Sequence, residues 1–469
     1  MTRPQGGSPQ SPDRTAVVVG GGLAGITAAL ELADAGLRVT LAEARPRLGG
    51  LAFSFKRGDL TVDNGQHVFL RCCSAYQWFL DRIAARDLVT LQDRLDVPVV
   101  DANTGRTGRL SRAALPVPLH LAASLARYPH LSLRERASVG RAALALRGLD
   151  LADPALDDVD FASWLAGRGQ SARTIEALWD LVGVATLNAT AAHSSLGLAA
   201  MVFKTGLLTD PAAADIGWAN APLGDLHDGR GRKALDAAGV RTLLRTRTSD
   251  IKHSAAGDWQ VSLETGPGRG EQLTADIVVL AVPQREAHAL LPEGAVQHPE
   301  KLLQIGTAPI LNVHVIYDRQ VLRQPFLAAL GSPVQWVFDR TESSGLTGGG
   351  QYVAVSQSAV EDEIDLPVAD LRDRYLPELE RVLPEARGAV VRDVFVTRER
   401  TATFAPTPGV GALRPGPVTR SPGLYLAGAW TATGWPATME SAVRSGLHAS
   451  REALSALGLP VDNGVLETA

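Results

Sequence analysis

Residues 17–25 read Val17-Val18-Val19-Gly20-Gly21-Gly22-Leu23-Ala24-Gly25. Three β-branched residues make a short strand, and Gly20-x-Gly22-x-x-Gly25 follows without a break. An apolar helical pattern then runs to Gly36, and a second strand, 38–42, delivers Glu43. Each part has a physical task. Gly20 permits a tight strand-to-helix turn, Gly22 lets backbone approach a pyrophosphate, and Gly25 lets the helix pack on the strand. Leu23 and Ala24 open the helix, whose N-terminal amides and partial positive charge face the phosphates. Glu43 follows Gly25 by 18 residues, where a carboxylate can bind ribose hydroxyls. A lone glycine motif would also suit a glycine-rich turn in an unrelated α/β fold. Strand, glycines, helix, strand and acid in this order predict a dinucleotide-binding α/β unit.

Working outward, Arg45-Pro46-Arg47-Leu48-Gly49-Gly50, flanked by Ala44 and Leu51, resembles the Arg-rich double-glycine extension of the flavin amine oxidase and phytoene desaturase superfamily. About 400 residues later, Leu424-Tyr425-Leu426-Ala427-Gly428-Ala429-Trp430 and then Gly434-Trp435-Pro436-Ala437-Thr438-Met439-Glu440 resemble that superfamily's second flavin motif. The resemblance implies FAD as the cofactor. It also implies a strand ending at Gly428, a turn through Pro436, and a helix from about Ala437 whose N-terminus faces the flavin pyrimidine edge. There negative charge collects on reduction. Thr248 matches a superfamily position whose backbone meets the adenine. The superfamily usually has Asp after the glycine at 428, bonding a ribityl hydroxyl; Ala429 stands there instead. The loss of one hydrogen bond, roughly 1 kcal/mol, does not abolish FAD binding.

Three further stretches, Asp63-Asn64-Gly65-Gln66-His67, Ala185-Thr186-Leu187-Asn188-Ala189-Thr190 and Ala402-Thr403-Phe404-Ala405-Pro406-Thr407-Pro408-Gly409, resemble the hydroxysqualene dehydroxylase family of bacterial hopanoid synthesis. The likeness runs from about residue 15 to 454. It implies an FAD enzyme that removes the hydroxyl of hydroxysqualene to give squalene, with a long apolar isoprenoid as substrate.

The fold expected is α/β. A Rossmann-like FAD-binding domain (15–75, 220–285 and 420–456) is interleaved with a mixed α+β substrate domain and a helical membrane-facing subdomain. The substrate domain takes 76–219, largely helical, and 286–419, sheet plus helix. Strand patterns lie at 241–244, 259–263, 276–283, 310–317, 334–338, 352–356 and 390–397, with a helix over 368–383. Residues 1–14 are polar and rich in Pro, Gly and Ser, and read as a disordered lead.

At 469 residues with 45% hydrophobic content the chain can bury a full core, and a net charge of −4 gives no reason to expect nucleic-acid binding. The two cysteines, Cys72 and Cys73, are adjacent. They read as free thiols on an apolar helix face in a reducing cytoplasm. No zinc-type spacing occurs, so no metal is expected. The apolar run 15–30 is short for a membrane span and is explained by the nucleotide motif.

From 106 to 147 the chain carries eight Arg against one acid, Glu135, interleaved with leucines. Ser132 and Glu135 form a capping-box pattern. The stretch reads as two short helices separated near Pro129. It is either a docking face for an anionic membrane, worth up to about 1 kcal/mol per Arg near the surface, or a solvated basic face. Docking would place the protein peripherally on the inner face of the cell membrane.

Loss of an allylic hydroxyl as water needs a proton for the leaving oxygen, and hydride from reduced flavin quenches the cation. His67 is the first candidate acid, since its ordinary pKa suits proton donation at neutral pH; the alternative is a histidine bonded to backbone. Asp63 either orients His67 or caps a turn. Asn188 and Thr190 bind the hydroxyl or end a helix. Glu440 contacts the flavin or supplies a first-turn charge. Trp179, Trp430 and Trp435 line the pocket or pack the core. The single dinucleotide fingerprint is taken by FAD, so electrons come from outside, from a reduced carrier protein or transiently bound NAD(P)H. Carotenoid-type desaturation, amine oxidation and a non-catalytic prenyl-protein carrier are the alternative activities on this fold.

Overall fold

The computed structural model describes residues 14–254, 257–266, 268–461 and 464–467; the disordered lead expected at 1–14 falls, but for Arg14, outside them. The β-branched run at the N-terminus forms the strand Thr15–Val19 at the centre of a five-stranded parallel sheet. The sheet order is Arg241–Leu244, Arg38–Glu43, Thr15–Val19, Ile277–Leu280, Leu424–Leu426. Strands so buried read as continuous apolar runs, as Ile277-Val278-Val279-Leu280 does. The helix Leu23–Asp34 covers one face, and the C-terminal helix Met439–Ala456 packs against it. Segments far apart in sequence, such as Ala16 and Ile277, thus become neighbours in one sheet, at whose carboxyl edge open α/β sheets bind ligands.

A seven-stranded sheet lies beyond it. Its order is Val391–Phe404, Thr307–Tyr317, Gln351–Ser358, Trp336–Asp339, Phe326–Leu330, Asp96–Asp101, Thr107–Ser111. The pairings are antiparallel except between Phe326–Leu330 and Asp96–Asp101. The amphipathic helix Val368–Val382 buries Leu371, Tyr375, Leu379 and Val382 against one face. The expected strands are present with ends moved by a few residues. The longest shift is at 390–397, which continues to Phe404 because Thr307–Tyr317 offers it a full-length partner.

The stretch 76–219 is less helical than its pattern predicts. It supplies two strands to this sheet, and Ile216–Ala219 pairs with Val68–Leu70 and Val89–Leu91 in a small third sheet. Likewise 106–147 does not begin as a helix. Thr107–Ser111 is an edge strand, followed by the helices Ala122–Arg127 and Leu133–Arg147. The Ser132–Glu135 capping box is formed. The basic charge is partly neutralised: Arg109 pairs with Asp96, Arg112 with Asp215, and Arg136 bonds the carbonyls of Leu131 and Ala126. Cys72 and Cys73 are free thiols, but they sit in the turn before the helix Ser74–Arg82 rather than on a helix face. No helix among the described residues is long and apolar enough to cross a membrane.

Candidate active site

The glycine loop is built as its spacing requires. A Cβ at Gly25 would lie 1.9 Å from the carbonyl of Gly20, so only glycine lets the helix start this close to the strand. The helix Leu23–Asp34 has Gly22 as its N-cap, no side-chain cap and no acid in its first turn. Its leading amides, including those of Leu23 and Ala24, are therefore open to an anion. Gly50 faces Gly22: a Cβ on Gly50 would come within 2.9 Å of the Gly22 Cα. Gly49 donates its amide to the Gly21 carbonyl, which ties the double-glycine turn to the first loop. Two bare backbones thus form a cradle that a side chain would fill.

Glu43 ends its strand half-buried beside this cradle. Its carboxylate accepts from the amides of Gly21 (2.6 Å) and Arg45 (2.7 Å), leaving each oxygen a further lone pair for a ribose hydroxyl. Ala44 and Arg45 are exposed, as is Leu51 at 45%. Thr248 is buried on the adjacent strand Arg247–His253, and its hydroxyl has no partner within the protein. At the other end, the backbone of Gly428 and Ala429 keeps accessible surface, as do Trp435, Ala437 and Thr438, whereas Pro436 is buried. Thr438 caps the helix Met439–Ala456, accepting from the Ser441 amide. The helix starts two residues later than expected because Thr438, not Ala437, supplies the cap.

The segment carrying His67 lies between the two large sheets. The Asn64 carbonyl accepts from Asn312 Nδ2 (3.2 Å) and Thr397 Oγ1 (2.9 Å), and Asn64 Nδ2 donates to Glu399 (3.0 Å). Behind Thr397 stands His314, which joins it to the Tyr352 hydroxyl and is pushed down to about 3 by burial. Thr397 donates to Asn64, so His314 Nε2 carries the proton toward Thr397 and Nδ1 accepts from Tyr352. His67 Nδ1 meets the Gly65 carbonyl at 3.2 Å. His67 is partly buried. Desolvation lowers its pKa below 6.5, against the pull of the Gly65 carbonyl. At neutral pH His67 is mostly neutral, a less ready acid than an ordinary histidine.

Asp63 does not orient His67. Its carboxylate is held by Arg340 at 2.5 Å, by Ser54 Oγ at 2.6 Å and by the Leu223 amide at 2.9 Å. Arg340 is 277 residues away in sequence, beyond the reach of any local pattern. Asn188 is likewise occupied. It ends the helix Asp180–Leu187 in a left-handed conformation (φ 58°), and its amide bridges Thr403 Oγ1 and the Ala359 amide. Thr190 bonds His193. Glu440 is a first-turn charge: buried, it accepts from the amides of Ala75 and Tyr76 and pairs with Arg444. Trp179 packs in the core against Phe161 and Phe203, and Trp430 donates to the Val282 carbonyl. Of the three tryptophans only Trp435 stays half-exposed.

Two features escaped the sequence reading. Val68, next to His67, pairs across strands with Trp218. Trp218 meets Phe326 edge-on at 5.6 Å, and Phe326 contacts Trp336 and Phe338. Trp218, Phe326, Trp336 and Phe338 therefore form one aromatic cluster, reached across the strand pair from Val68, the residue after His67. Only the alternation of aromatics with small residues at 216–219 and 336–338 hinted at it. The second feature is Arg414, buried beneath the 429–435 loop. Its signal was an arginine alone in a Pro- and Gly-rich stretch.

This geometry agrees with comparison to known proteins. The model of the flavin containing amine oxidoreductase family matches residues 23–454. The chain belongs to that family. A hydroxysqualene dehydroxylase of Sinorhizobium fredii is 29% identical over 93% of this chain and 98% of its own length. One of Rhodopseudomonas palustris is 29% identical over 94% and 99%. Among solved structures, putrescine oxidase bound to putrescine matches with a TM-score of 0.70 at 18% identity, covering 95% of this chain and 99% of that one. The protein is an FAD-dependent oxidoreductase. The Gly22–Gly50 cradle and the uncapped helix could hold the FAD diphosphate, Glu43 its ribose, the Thr248 strand its adenine side, and the 428–438 loop with its helix the flavin.

Proposed function

We propose that the protein reductively dehydroxylates hydroxysqualene to squalene, in the manner for which its relatives are named. The observation that carries this reading is the aromatic cluster of Trp218, Phe326, Trp336 and Phe338, paired across strands with Val68 in the segment that follows His67. An amine substrate needs a polar site, and the nearby carboxylates of Asp63 and Glu399 are already engaged by protein donors. An isoprenoid chain needs apolar walls with few polar groups. Aromatic faces also stabilise the delocalised cation left when an allylic hydroxyl departs, by about 0.5–2 kcal/mol each. Reduced FAD supplies hydride. The chain's own residues hold the carbon in place, exclude water, and protonate the leaving oxygen from His67.

The helix Leu133–Arg147 supports delivery of that substrate from a membrane. Its inner face buries Ser138, Val139, Ala142 and Leu146. Its outer face exposes Leu133 (79%) and Leu144 (58%), with Ala137 and Gly140 between them and Arg134, Arg141 and Arg147 alongside. Apolar residues flanked by arginines fit the interface of an anionic bilayer, and we place the protein peripherally on the inner face of the cell membrane.

The test is to incubate the purified flavoprotein with dithionite and hydroxysqualene and to look for squalene by mass spectrometry. Squalene formed only with reduced flavin supports the reading. Unchanged hydroxysqualene, with phytoene-like polyenes desaturated instead, overturns it in favour of a desaturase.

A further inference from the structure

Arg414 lies 7% exposed on the segment that leads into the last strand of the parallel sheet. No Asp or Glu forms an ion pair with it among the described residues. Its guanidinium donates instead to backbone: Nε to Trp430 O (3.2 Å), Nη2 to Ala429 O (3.3 Å), Thr431 O (2.5 Å) and Trp435 O (2.9 Å), with Thr433 Oγ1 at 3.4 Å. The Phe404 ring covers it at 4.4 Å. Desolvation lowers its pKa to about 10, so it is still charged at neutral pH. A buried cation with no carboxylate bonded to it is expensive, and the ring of carbonyls, the Phe404 face and the field of Asp157 offset it.

Those carbonyls belong to the loop that follows Gly428 and leads to the flavin-facing helix. Drawing four of them onto one planar fork fixes the loop's shape, and the charge stays inside it. We infer that Arg414 is a positioning residue for the flavin loop and a fixed positive charge favouring reduced over oxidised FAD. Uptake of two electrons and one proton leaves the flavin one unit more negative than before. A nearby cation with no carboxylate bonded to it stabilises that extra charge, more strongly in a dry interior than in water. Ala429 fits the same logic. An acid at 429 would add a negative charge to a residue whose carbonyl already accepts from the guanidinium at 3.3 Å, and so weaken the local positive field, whereas alanine adds none.

The experiment measures FAD content and the two-electron midpoint potential, by equilibration with a reference dye, in wild type and in Arg414→Met, Arg414→Lys and Ala429→Asp. In Arg414→Met the ratio of reduced to oxidised flavin at fixed poise should fall about tenfold, a potential lower by about 30 mV. Arg414→Lys, which keeps the charge, should stay within about threefold of wild type. Ala429→Asp should shift the potential in the same direction as Arg414→Met without touching the arginine. FAD-loaded Arg414→Met and Ala429→Asp proteins with the wild-type potential would reduce Arg414 to a structural clamp and overturn the inference. If Arg414→Met loses FAD, Ala429→Asp decides alone: an unchanged potential sinks the proposal. None of these readings needs hydroxysqualene, so failure of the substrate assignment leaves the test intact.

Discussion

Gly50 and Gly58 share a backbone conformation, φ +58° at each, and differ in what surrounds them. An alanine Cβ at Gly58 meets nothing within 4 Å, whereas at Gly50 it comes within 2.9 Å of the Gly22 Cα. Both substitutions carry the left-handed penalty of about 1–2 kcal/mol. Only Gly50→Ala must also push the glycine loop back by roughly half an ångström to restore ordinary contact. That displacement moves the helix amides away from the diphosphate. Losing one charge-assisted hydrogen bond there costs about 1.5–3 kcal/mol, or about 10- to 150-fold in affinity. Titrating apoprotein into FAD and following flavin fluorescence gives the dissociation constants. Gly50→Ala should weaken binding by at least tenfold, while Gly58→Ala should lower the thermal midpoint and leave FAD affinity within twofold. Equal effects on affinity, or none at Gly50, would show that the cradle does not hold the cofactor.

Arg340→Met strands the Asp63 carboxylate in the interior and should destabilise the protein by about 3–5 kcal/mol, read as a lower urea midpoint. Adding Asp63→Leu should restore much of it, and a double variant no better than the single would deny the pairing. His227 bonds the Ala52 carbonyl and Tyr76 hydroxyl, and burial pushes it down to about 4 from 6.5. The unfolded chain therefore binds its proton first. Stability should fall as pH drops from about 6.5 to 4, by up to about 3 kcal/mol from this group, and His227→Gln should flatten that slope of the melting temperature. If His67 donates the proton, kcat/KM should rise as pH falls through 6.5 and level off only below it, because its folded pKa is lowered; a His67→Asn enzyme with the same profile would clear it of the role. Leu133→Ser with Leu144→Ser should abolish sedimentation with phosphatidylglycerol vesicles, and Arg134→Ser with Arg141→Ser should weaken it about 30-fold at low salt. Wild-type sedimentation of both would remove this helix from the interface.

The nucleotide half of the fold was legible because its determinants are local. Gly20, Gly22, Gly25 and Glu43 sit within one βαβ unit, so spacing alone carries the geometry. The Ser132–Glu135 box was legible for the same reason. Asn188 ends its helix, one of the two roles its pattern allowed, but the partners of Asp63 and Asn188 are not legible because they are remote. Arg340 takes the one, and Thr403 and the Ala359 amide take the other, across separations of 277, 215 and 171 residues. The strands at 96–101 and 107–111 were missed because short edge pairings carry little periodic signal, and the basic charge around them drew attention to helices instead.

The same remoteness explains how one flavin scaffold serves unlike substrates. The residues expected to hold FAD are largely backbone and small side chains, in the glycine cradle and in the loop bonded to Arg414. The groups proposed to face the substrate come from elsewhere: His67 from the turn before the strand Val68–Leu70, Trp218 from that strand's partner, and Phe326, Trp336 and Phe338 from the large sheet. Polar replacements along this wall would therefore alter which molecule reaches the flavin while leaving FAD bound. Trp218→Ser is the direct case. It should keep wild-type FAD content and potential while raising KM for a long polyene by at least tenfold, since it opens the wall next to Val68. Loss of flavin in that variant would mean that the wall and the cofactor site are one structural unit, and that the division of labour argued from the fold is wrong.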